Sequence, residues 1–417
     1  MFHKTFKIST VILVLMIFSP VNYARDILVS AHDRTIEVWE ISPQIWRGRL
    51  YMKSRWVKDL KGHASTVLSM VFSKDGKYLA SGAMDRTVRI WDTSDENPGN
   101  WQLVQTLQMG EESLKASVAF NSTGTFLASF DGKTVKFWDT SSWREVAALK
   151  DKDYESRSPS VAFSPDGTKL AFGSDDGSVK ILDISSSNPQ DWQEVKALPL
   201  TGYYEIISVA FSPDGTKLAS GSDGDLDSLV KIWDTSSSDP EDWKEVTTLK
   251  GHKSEITSLA FSPDGTKLAS GSSDSNDISV KIWDTSDWKL IKTLKTPDPV
   301  FSVTFNNTGK KLAFGTRGGA KILNLSASLS RRWHLIHEGW YTMAEFPKKS
   351  LVQPFSEIYA VAFQPKDLET KRRLLEEEKE RIRFMQLLRQ KQREATGETR
   401  IRTQKPEDIV IPRFLLK

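Results

Sequence analysis

The sequence contains no cysteine. Disulfides, thiolate nucleophiles and zinc–thiolate centres are excluded, so the fold must be held by packing and hydrogen bonds alone. Histidine is scarce, with six in 417 residues. The nearest pair, His334 and His337, stand three apart on a predicted strand and face opposite sides, a poor metal pair. No phosphate-cradling glycine loop and no nucleophile elbow occur. Asp223, Asp225 and Asp227 alternate, but no glutamate follows at calcium-loop spacing, and a solvated turn is expected there. Metal and cofactor sites are therefore not expected. No apolar run reaches the ~20 residues of a stable membrane span. Charge of one sign is also missing: 57 Lys and Arg face 54 Asp and Glu, a formal net charge of +3. That balance gives no reason to expect a nucleic-acid partner.

Residues 1–24 read as a signal peptide. Lys4 and Lys7 precede an apolar run from Ile8 to Phe18, and Ala24 offers a small residue for cleavage. The expectation from this segment is an exported protein, secreted or periplasmic.

What the sequence has is a repeat. FSPDGTKLA occurs intact at 163–171, 211–219 and 261–269, with variants at 72–80, 120–128 and 305–313. A last VAFQP ends at Pro365. The repeat phenylalanines, Phe72, Phe120, Phe163, Phe211, Phe261, Phe305 and Phe363, recur at the spacing of propeller blades, lengthened by loops. Each repeat divides into four strands: a, the alternating run before the phenylalanine; b, the LAS segment after a Pro-Asp-Gly turn; c, a VKIWD segment; and d, opened by a second tryptophan. Seven c segments and seven d tryptophans account for all tryptophans but Trp46 and Trp340. Residues 27–39 match strands b and c with no strand a before them. Residues 358–364 match strand a with no strand b after them. The last strand is expected to complete the first blade and close the ring.

The VKIWD endings make the chain resemble the tryptophan–aspartate (WD) repeat β-propellers. Trp39-Glu40, Trp91-Asp92, Trp138-Asp139, Trp233-Asp234 and Trp283-Asp284 hold the signature position, and Leu182-Asp183 and Leu323-Asn324 depart from it. The resemblance implies an all-β, seven-bladed propeller and a structural hydrogen-bond network in which a d–a loop histidine meets a b–c turn aspartate, a strand-b serine and the strand-c tryptophan. His63, Asp85, Ser81 and Trp91 match that pattern in blade 2. His252, Ser270 and Trp283, with either Asp274 or Asp277, match it in blade 6.

By the same resemblance, partners bind at the face built by the d–a and b–c loops. The candidates there are Met84 and Arg86, Tyr154 and Arg157, Tyr203 and Tyr204, and Arg317. A long connection at 338–357 adds Trp340, Tyr341 and Phe346, aromatics of the kind that anchor protein interfaces. A second candidate segment is 46–56, where Arg47, Arg49, Lys53 and Arg55 interleave with Trp46, Tyr51 and Trp56; such a mixture can bind single-stranded nucleic acid or, in an exported protein, an anionic envelope surface, and a solvated loop is expected ahead of either.

The expected organisation is a signal peptide (1–24), the propeller (25–365), a charged helix (366–396) through which the chain could oligomerise, and a C-terminal tail (397–417). The expected function is a non-catalytic scaffold for a protein or peptide partner. The alternative is a propeller enzyme of hydrolase or lactonase type, with its site at the channel mouth.

Overall fold

The computed structural model describes residues 12–17, 26–46, 49–110, 114–150, 159–174, 176–199, 205–223, 228–273, 277–316 and 319–325. These residues form seven antiparallel sheets in sequence order, six of four strands and a last one of three among the described residues. The chain is a seven-bladed β-propeller. Blade 1 runs from Ile12 to Lys61, blade 2 from Val67 to Gln108, blade 3 from Ser117 to Lys150, and blade 4 from Val161 to Pro199. Blade 5 runs from Ile206 to Leu249, blade 6 from Ile256 to Lys295, and blade 7 from Val300 to Asn324.

The a–b turn explains why FSPDGTKLA recurs. In blade 5, Pro213 supplies the fixed φ of the first corner, Gly215 takes φ 72°, and its N–H returns to the Ser212 carbonyl at 2.9 Å. The Ser212 hydroxyl donates to Asp214 at 2.6 Å and accepts the Lys217 N–H at 2.9 Å. Blades 2, 4 and 6 repeat this with Ser73, Ser164 and Ser262. The motif is a self-contained hairpin that sets the b strand in register.

Both faces of these central strands are buried, so strand b reads as a run of apolar and small residues, leucine, alanine, serine and glycine, rather than an alternation. Seven buried clusters form, and each lies at one joint between neighbouring blades. In blade 2, Leu79 and Trp91 face blade 1, while Ala80, Val88 and Ile90 face blade 3. The joint that closes the ring packs Leu28, Trp39 and Ile41 of blade 1 on Ala313 of blade 7.

The innermost strands are further linked by serine. Ser69 accepts the Val118 N–H at 3.1 Å, Ser160 that of Val209 at 3.0 Å, Ser208 that of Leu259 at 3.0 Å, and Ser258 that of Val303 at 3.1 Å. Every such serine stands three residues before its blade's phenylalanine. A strand-a edge that would otherwise offer a bare amide is capped by the preceding blade.

Blade 1 corrects the sequence reading. Its strand a is Ile12–Ile17, paired antiparallel to Asp26–His32 with Ile12 opposite His32 and Ile17 opposite Ile27. The apolar run read as the heart of a signal peptide is thus the inner strand of the propeller. An inner propeller strand and a leader's apolar stretch share the same composition, and periodicity cannot separate them over six residues. The strand expected to fill this position, 358–364, lies outside the described residues, as do the proposed helix 366–396 and the tail.

Candidate functional site

The b–c turns and d–a loops converge at one end of each blade, and the polar network sits just beneath them in blades 2 and 6. In blade 2, His63 Nδ1 lies 2.9 Å from Asp85 Oδ2, and His63 Nε2 lies 2.8 Å from Ser81 Oγ. Trp91 Nε1 donates to Ser81 Oγ at 2.9 Å. Burial is the largest influence on His63 and, with the Arg89 charge, pushes its pKa below the usual imidazole value; Asp85 offsets only part of this. The neutral ring then donates from Nδ1 to Asp85 and accepts the Ser81 proton at Nε2, a single consistent direction from Trp91 through Ser81 and His63 to Asp85.

Asp85 closes the turn above. It accepts from the Ala64 N–H at 2.8 Å, the Thr87 N–H at 3.0 Å and the Thr87 hydroxyl at 2.6 Å. Burial opposes its charge, yet the bonds from Thr87, Ala64 and His63 together hold its pKa below the usual carboxylate range. Blade 6 is built alike: His252 Nδ1 to Asp277 at 2.7 Å, His252 Nε2 to Ser270 at 2.7 Å, and Trp283 Nε1 to Ser270 at 3.0 Å. Of the two aspartates the sequence left open, Asp277 is the partner observed; Asp274 lies outside the described residues.

The other blades vary the network. Among the described residues, blades 3 and 5 keep the indole bond alone, Trp138 to Ser129 at 2.9 Å and Trp233 to Ser220 at 3.0 Å. Blades 4 and 7 lose it in a concerted way: Leu182 and Leu323 replace the tryptophan, and Phe172 and Phe314 replace the serine. All four are buried, so an apolar pair takes the volume of the polar one. In blade 1, Glu37 bonds Trp39 and Ser30, and burial together with the Asp59 charge raises its pKa.

The arrangement can position loops, but it offers no reacting hydroxyl. Ser81 and Ser270 are 0% exposed, His63 4% and His252 2%. Each serine is held between an indole and an imidazole inside a blade joint.

Of the partner-face candidates, Met84 and Arg86 are described. They flank Asp85 in the b–c turn of blade 2, Met84 half-buried and Arg86 exposed with φ 64°. Arg86 therefore holds a left-handed conformation in the turn that the network anchors. Tyr154, Arg157, Tyr203, Tyr204, Arg317, Trp340, Tyr341 and Phe346 lie outside the described residues. Sequence reasoning passed over the strand-a serines, although their fixed distance from the repeat phenylalanine was a readable signal.

The family description WD domain, G-beta repeat, matches residues 54–92, 101–139, 157–183, 194–234 and 243–284. Among similar proteins are Protein HIR1 of Cryptococcus neoformans, 28% identical over 36% of this chain and 18% of its own length. The small ribosomal subunit protein RACK1 of Caenorhabditis elegans is 29% identical over 40% of this chain and 49% of its own. The WD repeat-containing protein VIP3 of Arabidopsis thaliana is 30% identical over 39% of this chain and 49% of its own. The matched part thus spans less than half the length of these relatives. They also correct the reading of an exported, secreted or periplasmic protein: a ribosomal subunit protein is an intracellular component, and the segment that suggested a leader is the inner strand of blade 1. Repeat, blade architecture and family match agree, and the chain belongs to the WD-repeat β-propeller proteins.

Proposed function

We propose that the chain is a non-catalytic scaffold that binds a protein or peptide partner at the end of the propeller formed by the d–a and b–c loops. The observation that carries this reading is the burial of Ser81 and Ser270: the two Ser/His/Asp sets serve as braces for turns, not as nucleophilic machinery. A channel-mouth enzyme would draw carboxylate, histidine or asparagine from the strand-a starts, whereas strand a here supplies serines such as Ser69 and Ser208 that accept amides of the neighbouring blade. The resemblance to RACK1, a protein of the small ribosomal subunit, supports a place in a larger assembly. On this reading Met84 and Arg86, held by the Asp85 turn, contact the partner. Tyr154, Arg157, Tyr203, Tyr204, Arg317, Trp340, Tyr341 and Phe346 belong to the same proposed surface, and residues 366–396 provide a helix for self-association.

Crosslinked capture from cell lysate tests it, with the full chain as bait beside Met84→Ala/Arg86→Ala and Trp340→Ala/Tyr341→Ala. Loss of the same captured protein from both folded variants is the expected result. If both retain every captured protein, the partner surface is elsewhere and the reading fails.

A further inference from the structure

Two residues before the tryptophan position, strand c carries a cation in every blade but the first: Arg89, Lys136, Lys180, Lys231, Lys281 and Lys321. What strand d sets against that cation divides the blades. In blades 3, 4 and 5 the residue opposite the tryptophan position is Glu145, Glu194 or Glu245. Each pairs with its lysine, at 2.8, 3.8 and 2.7 Å. In blades 2 and 6 the same register holds a leucine, Leu103 and Leu290, 39% and 46% exposed. Lys281 of blade 6 turns instead to the Thr293 hydroxyl, at 3.3 Å. Arg89 of blade 2 has no such substitute. Its Nε is buried without a hydrogen-bond partner, and among the described residues no carboxylate pairs with the guanidinium.

The surroundings of Arg89 form a groove between blades 1 and 2. Val88 and Ile90 pack toward blade 3 and Trp91 toward blade 1, so Arg89, alternating with them, shares the face turned to blade 1. Leu103, directly opposite Trp91, lies on that face too. The facing wall is the loop that leaves blade 1: a Cβ built on Gly62 would stand 2.5 Å from Arg89 Nη1, so the glycine gives the guanidinium its place. Lys58 of blade 1 crosses to blade 2 and donates to the Gly99 and Trp101 carbonyls at 3.0 and 2.5 Å, so its ammonium is already used. Arg89 is half-buried, and Leu103 is exposed at the start of the outermost strand, so the groove opens on the flank of the ring.

We propose that this groove binds an aspartate or glutamate side chain of a partner polypeptide, with Arg89 as the anchor and Leu103 as the apolar contact beside it. Three blades show what the position takes, because the chain itself fills it there with a glutamate. Blade 2 lacks that glutamate and has arginine for lysine, whose planar fork holds a carboxylate through two parallel bonds. A buried N–H without an acceptor weighs against the unbound fold, and a bound carboxylate removes that cost. A phosphate carries more charge than one guanidinium offsets, which favours the carboxylate.

The test is fluorescence anisotropy of a labelled hexapeptide of alternating glutamate and leucine, titrated with the full chain at low salt. Arg89→Gln removes the anchor. Leu103→Glu keeps the arginine and supplies a carboxylate from within, as in blades 3 to 5. Each should lower affinity roughly tenfold or more, the worth of one charged, hydrogen-bonded pair. A control, Arg144→Gln/Lys244→Gln, removes exposed cations of blades 3 and 5 and should bind as wild type. Thermal melts check each fold, and Leu103→Glu, which rebuilds a pair native to three blades, decides the matter if Arg89→Gln unfolds. No binding of the peptide at low salt overturns the proposal, as does wild-type affinity in a folded Arg89→Gln or Leu103→Glu chain. Equal binding of a glutamine–leucine hexapeptide overturns it by showing that carboxylates are not read. An equal loss in Met84→Ala/Arg86→Ala overturns it by placing the acidic ligand on the loop end, and equal competition by inorganic phosphate overturns it by assigning the arginine to phosphate.

Discussion

Asp85 holds together two loops that are distant in sequence, through one carboxylate with four donors. Bonds to a charged acceptor contribute about 1.5–3 kcal/mol, and leaving buried donors bare adds to the loss. Asp85→Asn should therefore lower unfolding stability by about 2–3 kcal/mol in urea titrations, with Met84 and Arg86 losing their fixed placement. The histidines beneath predict an acid sensitivity. His63 and His252 both have pKa values lowered by burial. In the unfolded chain an imidazole takes up a proton near pH 6.5, while the folded chain resists it. Their contribution is fully present above pH 6.5 and is lost as pH falls below it. A His63→Gln/His252→Gln chain should be less stable at pH 7.5 but show a flatter stability profile from pH 6.5 to 5, measured by thermal melts across that range. Glu37 has the opposite sign: its raised pKa favours the folded state as pH falls, and its buried charge weighs against folding at neutral pH.

At the scale of elements, the blade joints depend on small residues where the next inner strand approaches. A Cβ built on Gly173 would stand 2.6 Å from the Ile206 carbonyl oxygen, a backbone atom of blade 5 that cannot step aside. Gly173→Ala should cost about 2 kcal/mol or more as overpacking, seen as a drop in urea midpoint without a change of slope. Ser208→Ala should cost about 1–2 kcal/mol, by leaving the Leu259 N–H without its acceptor. How legible these elements were depended on whether a residue acts inside its own hairpin. Pro213, Asp214 and Gly215 specify a local turn, so the repeat and its strands could be read directly. The histidine networks were readable only through the resemblance to WD repeats, whose pattern His63, Ser81 and Trp91 match; the histidine stands 18 residues before its serine in both blades 2 and 6. The serine links join different blades: the fixed distance to Phe211 marks Ser208 as a repeated position, but nothing in its own hairpin names Leu259 of the next blade as its partner. The inner strand of blade 1 was misread for a related reason: Phe18-Ser19-Pro20 follows Ile17 as in the intact repeats, but Val21-Asn22 stands where they have Asp-Gly, so the turn signature is cut short. It carries the composition of the element with only part of its punctuation.

For the molecule as a whole, blade 1 is assembled from one stretch of chain, Ile12 to Lys61, in strand order a, b, c, d. Deleting residues 1–24 removes its inner strand and bares the edge of Asp26–His32. The shortened chain should melt at lower temperature and aggregate on size-exclusion chromatography; identical melting of the two chains would show that the strand is dispensable. Among the described residues, the joint between blades 7 and 1 then rests on side-chain packing such as Trp39 and Ile41 against Ala313.

Because each of blades 1 to 6 coincides with one uninterrupted stretch of sequence, the boundaries of the gene's internal copies and those of these folded units are the same. Recombination between near-identical segments, such as those encoding FSPDGTKLAS in blades 5 and 6, would then add or remove a whole blade and never half of one. A protein so constructed can change its number of binding loops by copying errors alone, without first having to invent a new way to close.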